Sequence, residues 1–239
     1  MFGGKLYYFV CREMYYSQNM SLWFAFMGIL GVLVVNKTKY WPEGRVIAFY
    51  TAMDILQAVE YNFVGECDLW MNKFLTVVAH IFVCVQPSLW NLYRFWTNNK
   101  NTEIFRAFFW SGVVFAVFYS VRLLVGLYDP SAILPLHEMN VAPKMCTEQG
   151  PSHIRWMLPY ASFNGLEPNY FTYLLIWVFP ALYEDTNHIL KFLFWNIQIQ
   201  IICHITENKS EVNSVWSLLS VPLYICYFLS LLFAKYKQN

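Results

Sequence analysis

The chain has 239 residues and a formal net charge of +1; 58 % of it is hydrophobic, 20 % aromatic and only 13 % charged. Soluble domains carry about 45–50 % apolar and about 25 % charged residues, so these values exclude an ordinary soluble fold, and the aromatic content excludes a disordered chain. The near-zero charge offers no field for nucleic acid, which leaves the lipid bilayer as the expected partner of a polytopic membrane protein.

Crossing a hydrocarbon core about 30 Å thick takes about 17–25 apolar residues. Seven runs qualify in chain order: Ser17–Val35, Arg45–Val64, Phe74–Leu92, Arg106–Leu127, Pro168–Tyr183, His188–Ile205 and Val212–Lys235. Lipid satisfies no backbone amide and the alternation of a barrel strand is absent, so the expected fold is all-α, a single seven-helix bundle. The fifth run is short and is interrupted by Pro180. A loop over residues 128–168 is too long for a simple connector. The first sixteen residues lack the apolar stretch of a cleaved signal peptide, so none is expected.

Lys and Arg accumulate in cytoplasmic loops. With the N-terminus outside and the C-terminus inside, nine of the sixteen fall in inner loops, Arg94 among them, and six in outer ones; Arg122 sits within a span. This orientation puts the long loop outside. It also puts Cys67 and Cys146 outside, where a disulfide between them is permitted, free thiols being the alternative. The sequon Asn208-Lys-Ser210 falls on the same side.

Ionisable groups within a span cost several kcal/mol unless paired or hydrated. On the second run Asp54, Gln57 and Glu60 share one helical face, and His80 on the third run is expected at a similar depth to Glu60. The sixth run adds Asn196, Gln200 and His204, and the seventh Asn213, Trp216 and Ser217. Together with Arg122 these imply a polar cavity opening away from the cytosol. The loop sequence from His153 through Trp156 to Pro159 reads as a folded lid over it, with a surface helix in the headgroup region as the alternative.

Met14–Ser21, the second-run block Met53–Tyr61, Ala79-His80 with Gln86-Pro87, Cys146 with His153-Ile-x-Trp156-x-x-Pro159, and Asn213–Ser217 together resemble an uncharacterised family of small seven-span membrane proteins of large DNA viruses and eukaryotic microbes. The resemblance covers most of the chain and implies the seven-span fold and the polar residues, not a reaction. The family's opening Cys is replaced by Tyr15, and Arg155 stands where the family tolerates small residues.

Three functions are compatible with these residues. Glu60, His80 and Arg122 around a hydrated cavity suit proton or small-solute permeation, or ligand sensing. Glu60, His80, His153 and His204 offer the ligands of a zinc-dependent hydrolase acting on a lipid or amide, although no pair has the spacing that preorganises a zinc site. In a scaffold, the same groups merely bond helices together. A homo-oligomer is compatible with all three. A retinal pigment is excluded by the lack of Lys between Val212 and Ala234.

Overall fold

The structure, a computed structural model, describes residues 18–36, 41–133, 140–163, 169–184, 198, 201 and 209–236. Six helices form most of it: α1 (Gln18–Val35), α2 (Trp41–Glu60), α3 (Trp70–Thr97), α4 (Thr102–Tyr128), α5 (Tyr170–Val178) and α6 (Val212–Tyr236). Three of them, α1, α3 and α4, are long and apolar enough to cross a membrane. Helix α2 has the length, but Asp54, Gln57 and Glu60 dilute its apolar character. Nearly all of the sixth expected span lies outside the described residues.

The fifth expected span is shorter than its sequence suggests. Helix α5 has nine residues and tightens into a 3-10 turn over Phe179–Tyr183, because Pro180 cannot donate to the α-helical ladder. The purely helical expectation is also amended. Within the long loop, β1 (Cys146–Gln149) and β2 (Ile154–Met157) form an antiparallel hairpin that pairs Cys146 with Met157 and Thr147 with Trp156. The pleat turns Ile154 and Trp156 into the bundle and leaves Arg155 and Met157 half-buried.

Helices α1 and α2 meet through small residues. Ser21, Ala25 and Gly28 line the buried stripe of α1, and a Cβ at Gly28 would collide with the Thr51 side chain. Gly112 of α4 likewise lies against the backbone of Ser88 on α3. The outward faces are apolar: Trp23, Phe26 and Leu33 on α1, and Trp110, Val117 and Leu124 on α4, are all exposed. Apolar faces of that extent suit contact with lipid.

Aromatic anchors mark the two ends. Trp70 is exposed at the hairpin end of α3, and at the opposite end Trp41 and Trp96 pack together, with the Arg45 guanidinium 4.5 and 4.6 Å from the two rings. The 26 residues from Trp70 to Trp96 rise about 39 Å, close to the roughly 40–45 Å of a bilayer with its headgroups. This is where Trp and Arg are favoured in a membrane protein.

A disulfide joins Cys67, in the α2–α3 connection, to Cys146 at the start of β1, with Cα atoms 5.0 Å apart and a sequence separation of 79. Closing so long a loop restricts the unfolded chain strongly. The double variant Cys67→Ser/Cys146→Ala is expected to lose about 2–4 kcal/mol of stability in detergent, read as a lower melting temperature. Wild-type protein should show the same loss on reduction, and identical melting curves with and without reductant would contradict it.

Candidate functional site under the hairpin

The buried face of α2 carries the three predicted polar residues, each to a different environment. Glu60 lies at the top of the helix and is 1 % exposed. Trp156 of β2 donates its indole N–H to both carboxylate oxygens at 3.0 Å, and the Thr147 hydroxyl of β1 donates to one of them at 3.1 Å. Thr147 is itself held by Asn72 of α3, whose side chain bonds both its N–H (3.0 Å) and its carbonyl (2.9 Å), and by the Thr76 hydroxyl at 2.8 Å. The hairpin is thus seated in the bundle, as a lid and not as a surface helix.

Gln57, one turn down, accepts from or donates to three partners. Its Oε1 is 3.2 Å from His153 Nε2, and its Nε2 donates to the Ser214 carbonyl (3.0 Å) and the Ser217 hydroxyl (2.5 Å) of α6. His153 Nδ1 shares a 2.7 Å hydrogen bond with the Tyr61 hydroxyl. Asp54, a further turn down, is fully buried, and among the described residues neither of its oxygens has a hydrogen-bond partner.

His80 occupies the neighbouring layer. Its Nδ1 shares a 2.8 Å bond with the Tyr160 hydroxyl, and Cys84 Sγ lies 3.5 and 3.6 Å from its two ring nitrogens. A sulfur equidistant from both nitrogens cannot lie along either lone pair, so the pair lacks the alignment of a thiolate–imidazole dyad. Beside His80 is a cavity of about 40 Å³ that Asn140, Trp156, Tyr160 and Asn213 help to line. About 10–15 Å³ accommodates one water, so this space holds two or three. Trp156 borders the cavity and bonds Glu60, so Glu60 and His80 are neighbours through that indole and not face to face.

Arg122 is buried, with Nε donating to the Ala161 carbonyl at 2.9 Å and its guanidinium 5.2 Å from the ring centres of Tyr119 and Tyr160. Gly126, one turn on, lets the backbone at Pro159 approach where any Cβ would collide. Trp216 packs edge-on against Trp177 with ring centres 5.2 Å apart. Gln200 and His204 lie outside the described residues.

Of the four proposed zinc ligands, His204 lies outside the described residues, and Glu60, His80 and His153 do not form a group. Glu60, His80 and His153 are engaged by Trp156, Tyr160 and Gln57 respectively. Among the described residues, the three acidic, His or Cys side chains whose ligand atoms do lie together are Cys67, Cys146 and Glu148, and the two thiols are bonded to each other.

Two partners carry no sequence signal, because a Thr in a loop or an Asn near a helix start is common and only tertiary contact selects Thr147 and Asn72. Arg94 is a correction: it is no loop cation but a buried one on α3, donating to Glu184 (2.9 Å) and to the Trp177 carbonyl (2.6 Å). Glu211, before α6, clasps the hairpin tip by accepting from the Ser152 N–H at 3.3 Å through each oxygen. A Cβ on Gly150 would collide with it.

Fold and site define a mostly helical protein with three helices of membrane-crossing length and a polar network closed beneath a disulfide-anchored hairpin. The chain belongs to DUF5765, a family of unknown function, whose profile matches residues 19–236. It is similar to the uncharacterized protein R287 of Acanthamoeba polyphaga mimivirus, at 23 % identity over 224 residues that cover 87 % of this chain and 91 % of the viral one. No solved structure matches.

Burial pushes the Glu211 carboxyl above the usual carboxylate range, partly offset by the backbone N–H groups of Ser152 and His153. A raised folded-state value means that folding favours the protonated form. Its contribution to stability is therefore complete below the ordinary value of about 4.3 and is lost as pH rises through the elevated one. Relative to Glu211→Gln, the wild-type melting temperature should fall as pH rises across that window. Parallel curves for the two proteins would show that Glu211 ionisation is not linked to folding.

Proposed function

We propose that the chain is a seven-span membrane protein that conducts protons, with the hairpin end exoplasmic and the C-terminus cytoplasmic. Asp54 carries this reading. A polar group that serves only to join helices gains by hydrogen bonding, about 0.6 kcal/mol per contact. Asp54 makes no such bond among the described residues, yet it is fully buried. An unbonded carboxyl there costs several kcal/mol, a cost that a structural role does not offset.

The groups above and below Asp54 supply a path. Gln57 reaches Ser217 of α6, and Tyr50, on the same face of α2, stacks on Tyr224 of α6 with ring centres 5.4 Å apart. Between those two levels the buried face of α2 carries Asp54, and α6 carries Ser220. Towards the hairpin the file continues through Gln57 and His153 to Tyr61. Carboxyl, imidazole and hydroxyl groups along one face are the parts of proton relays.

The disulfide supports the orientation, since it forms in oxidising compartments and so draws the hairpin end outward. The excess of Lys and Arg in the opposite loops agrees. Reporter tags inserted after Val35 and after Lys144 are expected on opposite sides of the membrane. The same side for both would overturn the topology.

Flux is tested in vesicles loaded with a pH-sensitive dye and given a potassium diffusion potential. Wild-type protein should acidify or alkalinise them faster than protein-free vesicles, and Asp54→Asn should bring the rate down to the protein-free level without lowering the melting temperature. No flux in the wild type, or full flux in Asp54→Asn, would remove the proposal and leave the scaffold.

A further inference from the structure

The cavity beside His80 has a chemical bias of its own. Two of its lining residues carry an acceptor without its ordinary partner. Asn140 Oδ1 is buried and has no hydrogen-bond partner among the described residues. Val83 precedes Pro87 by four residues within α3, and proline has no N–H to give, so the Val83 carbonyl loses its helical donor. The Tyr160 hydroxyl and His80 are already engaged with each other.

The rest of the wall is largely aromatic: Phe115, Tyr119, Trp156, Tyr160 and Tyr173. The rings are mutually packed, with Phe115 4.8 Å from Tyr119 and 5.8 Å from Tyr173, and Tyr119 5.1 Å from Tyr160, centre to centre. No Asp, Glu, Lys or Arg lines the space. Two charges stand behind its walls and oppose each other: Arg122 behind Tyr119 and Tyr160, and Glu60 behind Trp156.

We infer that this cavity is a binding site for ammonium or a similarly small protonated amine, which donates hydrogen bonds to Asn140 and Val83 while aromatic rings surround its charge. Unpaired acceptors call for a donor, and π-faces attract a cation. The volume of two or three waters admits ammonium and methylammonium but not a quaternary amine. Sodium is a poor match, because a hard cation needs more oxygen ligands than these two. The Trp156 indole is shared with Glu60, so occupancy here would be felt at the carboxylate.

The site does not depend on proton conduction, and its test uses no flux. Purified full-length protein in detergent is titrated with ammonium, methylammonium, sodium and tetramethylammonium chlorides at constant ionic strength, and thermal unfolding is followed. Ammonium and methylammonium should raise the melting temperature saturably, and sodium and tetramethylammonium should not.

Asn140→Gly is the informative variant. Asn140 has φ 67°, a left-handed conformation that glycine adopts without strain, so the substitution deletes the acceptor and keeps the turn. Losing a hydrogen bond to a charged ligand should weaken ammonium binding about ten- to a hundredfold. Asp54→Asn, outside the cavity, should leave the ammonium response intact even if it abolishes flux. Equal responses to ammonium and sodium in the wild type would mean that the cavity holds water alone. An undiminished ammonium response in Asn140→Gly would move the ion elsewhere. Either result overturns the inference.

Discussion

The contact between the Trp156 indole and both oxygens of Glu60 governs the hairpin end of the molecule. A carboxylate at the top of α2, inside a bundle with apolar outer faces, has no lipid or bulk water to solvate it. The loop between α4 and α5 must therefore supply the donors, and it can do so only by folding into the bundle. A two-stranded hairpin pairs its own backbone while turning alternate side chains inward, which lets Trp156 and Thr147 reach one carboxylate from adjacent strands. The remaining anchors follow from that seating. Asn72 holds Thr147, Glu211 holds the tip, and glycines at 126 and 150 leave room for close backbone approach.

The opposite end has its own anchor of a different type. Arg94 is as buried as Glu60 but has a counter-ion in Glu184 and three further restraints, in Asn91, the Trp177 carbonyl and the ring of Trp90. Such a pair gains little net energy against desolvation, but removing one partner leaves a buried charge uncompensated, at about 3–5 kcal/mol. It binds the 3-10 turn after α5 to α3, which fixes the end of a nine-residue helix in the bundle. Both ends of the polar interior are thus fully bonded, and Asp54 lies between them without a bond.

Much of this was legible in the chain. The apolar runs located α1 to α4 and α6 to within a few residues, and the i, i+3, i+6 spacing of Asp54, Gln57 and Glu60 identified the inward face of α2, because helical periodicity is local. The pairing of Cys67 with Cys146 was readable as an option and is present. The hairpin was not readable: the four-residue strands Cys-Thr-Glu-Gln and Ile-Arg-Trp-Met are too short to carry a periodic signal, and they are seated by contacts with Glu60 and α6. Arg94 read as a loop charge because a cation near the end of an apolar run usually is one; its burial depends on Glu184, 90 residues later.

The division between satisfied and unsatisfied groups also bears on where activity can reside. Glu60 looks like the natural centre of the site, yet two protein donors, the Trp156 indole and the Thr147 hydroxyl, already occupy its oxygens, and their bonds must be broken before the carboxylate can take anything else. Asp54 and Asn140 have no such bonds to surrender among the described residues. A group that is buried, unbonded and retained holds free energy in the folded state that a ligand can recover, whereas a fully bonded one resists exchange. Glu60 and Trp156 therefore form the rigid partition, with Asp54 and Gln57 on the α2–α6 side and the His80 cavity on the other. Exchange with solvent or ligand belongs to the unbonded groups that flank this partition.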